Sequence, residues 1–529
     1  MSLFRSSATV GGYTLISRVL GFLRDLLIAA VLGTSPVADA FFVAFRIPNL
    51  FRRLTGEGAF NAAFVPVFAG LIERDGRPAA EYFAGQVLSI MILVLAGLTL
   101  LAEAAMPWVI MAIAPGFIDD PDKFDLAVTF TRLTFPYLLL VSLMAILGAV
   151  LNAMMRFAAA AAAPILLNIV MIAMMLTAMD AFATPGHALA LGVTLGGVAQ
   201  LALMVVACRR AGVAIRPVRP RLTPQIRRWL RLMGPGLVGA GVLQINLLAG
   251  TIIASLLPTG AISYLYYADR VNQLPLGVVG MAIGTALLPM LSRRLKAGDE
   301  AGGRAAQNRA LELGLFFTLP AAAALMIVPE PMIGVLFERG AFSARATTET
   351  SRTLAAFAVG LPAYVLVRVL APGFFAREDT VTPVRIAALA VAANIMLSLA
   401  LVFPFGHVGI AAATSLASWL NAVLLALTLR RRGHLQPDLR LRDRLWRIVL
   451  AVLVMVGVLL PVEGALAPWF QAGPARALPA LALLVGAGGL GFALAATAFG
   501  AARLSEIRHL LRPRASLPGE STAGPGSGP

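Results

Sequence analysis

The chain has 529 residues, of which 59% are hydrophobic and 13% are charged, and its mean hydropathy is +0.85. A soluble protein of this size could not cover so much apolar surface, so the composition excludes a water-soluble globular domain. The single cysteine, Cys208, excludes an internal disulfide and a cysteine-based metal site, which leaves the net charge of +17 to be explained.

Apolar runs occur along the whole chain, and a helix needs roughly 20 such residues to cross a ~30 Å hydrocarbon core. In chain order the apolar runs lie at 8–32, 37–70, 82–102, 133–155, 157–179, 186–210, 232–268, 271–292, 312–329, 350–376, 386–429, 445–461 and 477–502. The runs 232–268 and 386–429 are each long enough for two crossings and are broken at 258–260 and 404–406. We therefore predict an all-α polytopic membrane protein with about 14 transmembrane helices. We expect no cleaved signal peptide, and a largely disordered cytoplasmic tail at 503–529.

The basic residues are concentrated in alternate loops between these spans. Arginines crowd the segments 209–231, 293–309 and 430–444, whereas the loops between them are acidic or nearly neutral. The lysine and arginine bias predicts that the basic loops and both termini are cytoplasmic. Most of the positive charge then sets membrane topology, and nucleic-acid binding is not expected.

The two halves of the chain resemble each other at a nearly constant offset. The corresponding positions are Ala44–Arg46 with Ala268–Arg270, Pro136 with Pro362, Pro164 with Pro383, and Gly186-His187 with Gly406-His407. The repeat predicts an N-lobe of six helices (1–212) and a C-lobe of six helices (213–433), related as parallel repeats by a pseudo-two-fold axis. Helices 13 and 14 (434–502) fall outside it. Two lobes around a cleft indicate a transporter that works by alternating access, and no ATP-binding loop is present.

Charged residues lie inside stretches that otherwise read as membrane-spanning. They are Arg18, Arg24, Asp25, Asp39, Arg46, Arg52, Arg53, Glu57, Asp269, Arg270 and Arg368. A charge at the bilayer centre costs roughly 2.5–3.5 kcal/mol, so such groups usually face a watery cavity or pair with each other. The arginines outnumber the carboxylates, no lysine belongs to the group, and a guanidinium suits bidentate phosphate binding. A phosphate or diphosphate ligand is therefore predicted.

The spacing of these charges adds detail and leaves a structural alternative open. Asp39, Arg46 and Arg53 are seven residues apart and share one helix face, and Arg53 can pair with Glu57 one turn on. Pro48, with Gly56 and Gly58, is predicted to interrupt the second helix. The alternative is a membrane scaffold in which the charges only brace the lobes. No catalytic set or metal-ligand spacing stands out, so we predict no enzyme, no cofactor and no metal site.

Several segments carry a resemblance to a known family. They read SRVLGFLRD at 17–25, ADAFFVAFRIPNLFRR at 38–53, GEGAF at 56–60, AFVP at 63–66, YYADR at 266–270, LPLG at 274–277, GTALLP at 284–289 and VLAP at 369–372. The chain thereby resembles the MurJ/MviN family of bacterial lipid II flippases, in the multidrug/oligosaccharidyl-lipid/polysaccharide exporter superfamily. The likeness covers helices 1–12 in order.

The resemblance implies a flippase that moves undecaprenyl-diphosphate-linked disaccharide-pentapeptide, lipid II, from the inner to the outer leaflet of the bacterial cytoplasmic membrane for peptidoglycan synthesis. It implies that the head group is bound by Arg18, Arg24, Arg52 and Arg270. Cavity charge pairing and gating would fall to Asp25, Asp39, Arg53, Glu57 and Asp269, and helices 13 and 14 would hold the lipid tail. Implied partners are lipid II and membrane lipids, with cell-wall synthesis enzymes as further candidates.

One departure from the family concerns ion coupling. Where some relatives place carboxylates for a sodium ion, this chain has Gly250 and Ser398 beside Asn394. A hard cation needs several oxygens and anionic help, so sodium coupling is not expected. The alternatives that stay open are a flippase for another polyprenyl-diphosphate-linked glycan and a cation-coupled drug exporter of the same superfamily.

Overall fold

The protein is helical throughout the residues that this computed structural model describes. These are residues 3–56 and 59–502, with side chains described except at 3–8, 51–56, 59, 235–240, 242–243 and 278–286. The first nine helices are α1 (Leu3–Leu32), α2 (Pro36–Gly56), α3 (Ala59–Asp75), α4 (Arg77–Ala104), α5 (Met106–Ile113), α6 (Pro121–Thr134), α7 (Tyr137–Ala153), α8 (Ala158–Thr177) and α9 (Pro185–Arg210). The next eight are α10 (Pro224–Ser255), α11 (Ala261–Lys296), α12 (Glu300–Ile327), α13 (Pro329–Phe337), α14 (Ala344–Phe375), α15 (Val381–Arg431), α16 (Leu439–Gln471) and α17 (Pro474–Ala498).

The predicted all-α membrane fold is confirmed, since the described ranges contain no strand. By length and composition nine helical segments of the described chain could cross a membrane, and the described part of α10 adds a shorter apolar segment, Gln244–Ser255. The count of 14 spans stays a prediction. The side chains of Arg52 and Arg53, the whole of Glu57 and the tail predicted at 503–529 lie outside the described residues.

Local sequence explains where many helices begin. A side-chain oxygen accepts a hydrogen bond from a backbone N–H of the first turn at Asp120 (α6), Thr223 (α10), Asp299 (α12), Ser343 (α14) and Asp438 (α16). Such a cap satisfies a donor that the helix leaves unpaired, and its loss costs about 1 kcal/mol. The predicted break at 258–260 separates α10 from α11. The break at 404–406 is a sharp bend, because Gly406 has the non-helical angles φ 56° and ψ −135° within α15.

One prediction about α2 is wrong. Pro48 was expected to interrupt this helix, yet α2 continues through it as far as Gly56. A proline removes the backbone N–H that would bond the carbonyl one turn earlier, which here belongs to Ala44. The Thr134 hydroxyl of α6 donates to the Ala44 carbonyl at 3.2 Å, so the freed oxygen keeps a partner. A neighbouring helix thus supplies what the proline removes.

Helix packing defines two groups with a bridge between them. α1 packs on α8, α8 on α9, and α2 on α6 and α7, while α11, α12, α14 and α15 pack on one another. α10 contacts α2 and α3 as well as α15, and α11 contacts α2. α16 and α17 form a hairpin against α12 with its own core, which includes Ile448, Met455, Leu484 and Phe492. Asp25 of α1 contacts α11, and Asp39 and Arg46 of α2 contact α10 or the N-terminus of α11, so these charges lie where the first group meets the second.

Candidate functional site

Arg24 and Asp25 form a buried ion pair in the C-terminal half of α1. Arg24 is 8% exposed and Asp25 is 2% exposed. The Arg24 Nη2 and Nε atoms donate to Asp25 Oδ1 at 2.7 and 3.1 Å, and Nη1 donates to Asn168 Oδ1 of α8 at 2.9 Å. Most of the guanidinium N–H groups are therefore occupied within the protein. Arg24 is fixed in place before any ligand arrives.

Tyr266 connects this pair to α11, which runs antiparallel to α1. Its hydroxyl donates to Asp25 Oδ1 at 3.1 Å, so that one carboxylate oxygen accepts from both side chains. The Tyr266 ring stacks on Phe42 of α2 with centroids 4.0 Å apart. The Arg270 guanidinium, one turn further along α11, lies 4.9 Å from the centre of the same ring. Three helices are thus joined at one point by a tyrosine.

Arg270 has weaker ties than Arg24. Its Nη2 atom lies 3.7 Å from Asp269 Oδ2, and Asp269 also accepts from the Gln273 amide. Its Nε atom is buried and, among the described residues, has no hydrogen-bond partner. A buried donor without an acceptor costs about 1–3 kcal/mol. A ligand oxygen at this position would remove that cost.

Arg18 lies two turns before Asp25 on α1 and reaches the same helix partner. Its guanidinium rests against Gly277 of α11, where any larger side chain would collide with it. The side chain is exposed, and no carboxylate of the described residues forms an ion pair with it. We name the set Arg18, Arg24, Asp25, Tyr266, Asp269 and Arg270 the charged cluster.

Asp39, predicted to belong to this group, lies elsewhere. It is 1% exposed and accepts from the backbone N–H groups of Gly260 and Ser263 at 2.8 and 3.0 Å, and from the Ser263 hydroxyl at 2.6 Å. Lys123, itself 4% exposed, donates to Asp39 Oδ2 at 3.1 Å. A carboxylate of α2 therefore caps the N-terminus of α11, where the helix dipole favours negative charge.

Glycines complete this end of the molecule. The Ala341 N–H donates to the Ala30 carbonyl at 2.8 Å, and the adjoining Gly33 and Gly340 have positive φ angles of 57° and 59°. A Cβ at Gly340 would strike the Ala30 carbonyl, and one at Gly33 would strike that of Ala341. We name the region of Asp39, Lys123, Gly260, Gly33 and Gly340 the closed end, because backbone from both halves of the chain meets there without a gap.

The remaining predicted charges are dispersed. Arg46 donates from α2 to the Leu247 carbonyl of α10 at 3.3 Å and also to the Thr251 hydroxyl. Arg368 is exposed on α14. The structure thus brings together Arg18, Arg24, Asp25, Asp269 and Arg270 of the predicted site, and places Asp39 at the closed end.

Sequence reasoning missed three members of these networks: Lys123, Asn168 and Tyr266. A signal existed for two of them. Asn168 is the one polar amide in the span predicted at 157–179, and Lys123 is the one lysine in an acidic loop. Tyr266 was within a recognised segment, but nothing in the sequence distinguished its hydroxyl from that of Tyr267, which donates to the Gly33 carbonyl at 3.0 Å.

Asn394, near which the sequence predicts no sodium site, is hydrogen-bonded to a second asparagine, Asn246. Asn394 Nδ2 donates to Asn246 Oδ1 at 2.7 Å, linking α15 to α10, and Ser398 is buried one turn further. In the described part of the chain no group of three or more histidine, cysteine, aspartate or glutamate side chains could hold a metal ion. The prediction that transport is independent of sodium remains a prediction.

A bundle of apolar helices in two groups, with buried charged side chains between them, is typical of a polytopic membrane transporter. Comparison with known proteins specifies the class. The family model for the lipid II flippase MurJ matches residues 28–473. The chain belongs to the MurJ lipid II flippase family.

Individual relatives agree with this assignment. A probable lipid II flippase MurJ of Rhizobium meliloti is 46% identical over 535 residues, covering 100% of this chain and 99% of that protein. The lipid II flippase MurJ of Burkholderia cenocepacia is 37% identical, covering 87% of this chain and 90% of that protein. Among solved structures, lipid II flippase MurJ in an inward closed conformation matches with a TM-score of 0.78 at 25% identity, over 95% of this chain and 99% of that one.

A more distant structure shows the shared fold alone. An inward-facing multidrug resistance MATE family transporter of the MOP superfamily matches with a TM-score of 0.68 at 12% identity, over 78% of this chain and 94% of that one. The family and the apolar helices make this chain a multi-pass protein of the bacterial inner membrane.

Proposed function

We propose that the protein translocates lipid II across the bacterial inner membrane, with the diphosphate of the lipid bound by the charged cluster. Family membership supports this, and the single observation that carries it is the unequal satisfaction of the arginines. Arg24 donates three of its five N–H groups to Asp25 and Asn168, whereas Arg270 Nε has no acceptor in the described residues and Arg18 no carboxylate. A diphosphate offers the several anionic oxygens that these donors need.

Each residue then has a distinct task. Arg24 and Asp25 hold the face of α1 rigid, and Tyr266 keeps α11 against it, so that the diphosphate meets arranged donors. Arg270 and Arg18 contact the phosphates from α11 and α1, about two helical turns apart. Because the guanidinium remains charged at any physiological pH, binding does not depend on a titrating group. We assign no catalytic step to the chain.

The remaining steps of the transport cycle are proposed from the division of the chain into two lobes. We propose that residues 1–212 and 213–433 move as two lobes, that the closed end faces the periplasm, and that both termini are cytoplasmic. The excess of arginine in the loops at 209–231, 293–309 and 430–444 supports this orientation. Release to the outer leaflet would require the bonds of Asp39 to Gly260, Ser263 and Lys123 to break. Enzymes that polymerise lipid II are the proposed downstream partners.

The test is performed in cells depleted of the protein and complemented with variants. Lipid II exposed on the outer leaflet is labelled by an externally added probe that does not cross the membrane. The wild-type chain should restore labelling and Arg270→Gln should not, while Arg345→Gln, an exposed arginine at the start of α14, serves as the matched control. Full labelling with Arg270→Gln, at wild-type protein levels, would contradict the proposal.

A second candidate is a flippase for another polyprenyl-diphosphate-linked glycan. The observation that favours it is that the charged cluster is rich in guanidinium groups, which suit a diphosphate, and a diphosphate is shared by every lipid of this class. Mass spectrometry of lipid copurified with the protein distinguishes the two. A peptide-bearing disaccharide head group supports lipid II, and a peptide-free glycan supports the alternative.

A further inference from the structure

An apolar groove of about 170 Å³ lies where α12, α14, α15 and α16 meet. Its lining includes Leu311, Leu366, Trp419, Val423, Leu441 and Leu445. All eleven lining side chains are apolar apart from the indole N–H of Trp419, which is bonded to the Val359 carbonyl at 2.9 Å. Nothing in the lining belongs to the charged cluster, so the groove is separate from the proposed diphosphate site.

The groove runs inward from the ends of two helices. α15 ends at Arg431 and α16 begins at Leu439. At 1.5 Å per residue, Leu445 lies ~9 Å from the start of α16 and Trp419 ~18 Å from the end of α15. A chain of methylene groups that entered at the helix ends would therefore pass into the apolar part of the bilayer along this surface.

Unpaired positive charge surrounds the entrance. Arg442 is exposed, lies one turn before Leu445, and lines a second surface groove on α16 together with Leu445 and Trp446. Arg430 and Arg431 are exposed in the last turn of α15. Within the described ranges none of these three arginines forms an ion pair with a carboxylate, in contrast to Arg444, which is buried and bound to Glu312.

A tryptophan marks the depth of this entrance. Trp446 is 52% exposed, and the Arg447 guanidinium lies 5.7 Å from its ring. Tryptophan prefers the level of the lipid head groups, with its ring toward the acyl chains and its N–H toward water. The arginines beside it are thus at the height of lipid phosphates, which attract basic residues at the cytoplasmic surface.

We propose that this groove binds an anionic glycerophospholipid, with one acyl chain between α15 and α16 and its head-group phosphate at Arg442. The charge complementarity selects the occupant: an apolar groove alone would accept any acyl chain, but three unpaired guanidinium groups at its mouth favour an anionic head group. The site lies on the side of α16 that faces α12 and α15. An anionic lipid bound there would fasten the α16–α17 hairpin to the second group of helices.

The test measures lipid binding to the purified full-length protein in detergent, by native mass spectrometry. Phosphatidylglycerol and phosphatidylcholine with identical acyl chains are titrated separately. Phosphatidylglycerol should bind more tightly, and Arg442→Gln should weaken it about fivefold, as expected for one basic side chain near the surface. The matched control Arg228→Gln removes an exposed arginine from α10 and should leave the affinity unchanged.

A second pair of variants tests the groove itself. Val423→Trp fills it, whereas Leu427→Trp places the same ring one turn along α15 outside the lining; the two positions are 46% and 43% exposed. Only Val423→Trp should reduce phosphatidylglycerol binding. Equal affinity for the two lipids, equal losses in Arg442→Gln and Arg228→Gln, or unaltered binding to Val423→Trp would each overturn the proposal. The proposal would also be overturned if Val423→Trp lost undecaprenyl phosphate binding but kept phosphatidylglycerol binding, because the groove would then hold a substrate tail.

Discussion

The closed end and the charged cluster both place carboxylates and cations inside the membrane protein, yet they satisfy them differently. At the closed end Asp39 receives four hydrogen bonds, one of them from a lysine that also donates to the Thr259 hydroxyl at 3.3 Å. In the charged cluster Asp25 is as deeply buried, but the cations around it outnumber the acids and Arg270 Nε has no described acceptor.

We interpret the hydrogen bonds of Asp39 as structural and the incomplete hydrogen bonding of Arg270 as part of a ligand-binding site. Polar groups buried in a protein are expensive unless their hydrogen bonds are complete. A complete network such as that of Asp39 stabilises one arrangement of the helices. An incomplete one leaves free energy that a suitable ligand recovers on binding, and here the missing groups are oxygen anions. The predictions below test this distinction, from the largest expected effect to the smallest.

The largest effect is expected from Arg24→Ala. It leaves Asp25 buried with Tyr266 as its remaining described donor, and an uncompensated buried charge costs about 3–5 kcal/mol. Thermal unfolding of the purified protein should show the loss. The double variant Arg24→Ala/Asp25→Ala should recover most of the stability without recovering transport. If the double variant is no more stable than the single one, the pair is not the structural unit described here.

Whereas Arg24→Ala mainly lowers the free energy of unfolding, Arg270→Gln should weaken lipid II binding strongly and change the free energy of unfolding little. Because its guanidinium has weak ties within the protein, unfolding should change by less than about 1 kcal/mol. A charge-assisted hydrogen bond to phosphate contributes about 1.5–3 kcal/mol, so lipid II affinity should fall about tenfold to a hundredfold. Native mass spectrometry with added lipid II measures this. A large loss of stability with intact binding would reverse the roles assigned to Arg24 and Arg270.

Asp39→Ala should loosen the closed end and leave the charged cluster intact. Removing the acceptor leaves Lys123 buried and two N–H groups of α11 uncapped, a loss of about 1–3 kcal/mol to the closed arrangement. With Cys208, the one cysteine, replaced by serine, a cysteine at Thr34 reports opening through its rate of maleimide labelling. The rate should rise in Asp39→Ala and fall back in Asp39→Ala/Lys123→Met. Unchanged labelling would show that this end is not a gate.

The smallest effect is expected from exchanging sodium for potassium. The Asn246–Asn394 pair offers amide oxygens without a carboxylate, and a hard cation binds poorly to such a set. Lipid II binding should change by less than about twofold. The variant Gly250→Asp, which adds a carboxylate on α10, provides the contrast and should introduce sodium dependence. A strong sodium response of the wild-type chain would mean that the cation is bound elsewhere.

Much of the fold could be predicted because its signals are local. Span length, the break at 258–260 and the bend at Gly406 follow from hydropathy and from proline and glycine positions. Pro48 was misjudged because its effect depends on Thr134 of another helix, which sequence periodicity cannot reveal. The same holds for Glu312: it binds Arg309, Arg440 and Arg444, three arginines that the loop pattern assigned to topology alone.

The candidate site was predictable to a similar extent. A surplus of arginine within apolar spans identified Arg18, Arg24 and Arg270. The structure places Arg24 and Arg270 beside Asp25 and Tyr266, and Arg18 against Gly277 of α11. Which of these arginines has most of its N–H groups occupied could not be predicted, because this depends in part on Asn168 from α8. The partners of Asp39 could not be predicted for the same reason, since two of them are backbone N–H groups of the α11 N-terminal region and have no sequence signature.

The most direct measurement compares the affinity of the purified protein for undecaprenyl diphosphate and undecaprenyl monophosphate, in the wild-type chain and in Arg270→Gln. The two lipids share a tail and differ in the phosphate that the charged cluster should recognise. We expect the diphosphate to bind at least about tenfold more tightly to the wild type, through one added charge-assisted contact, and the preference to vanish in the variant. Equal affinities in the wild type, or a preference that survives in Arg270→Gln, would contradict the central claim.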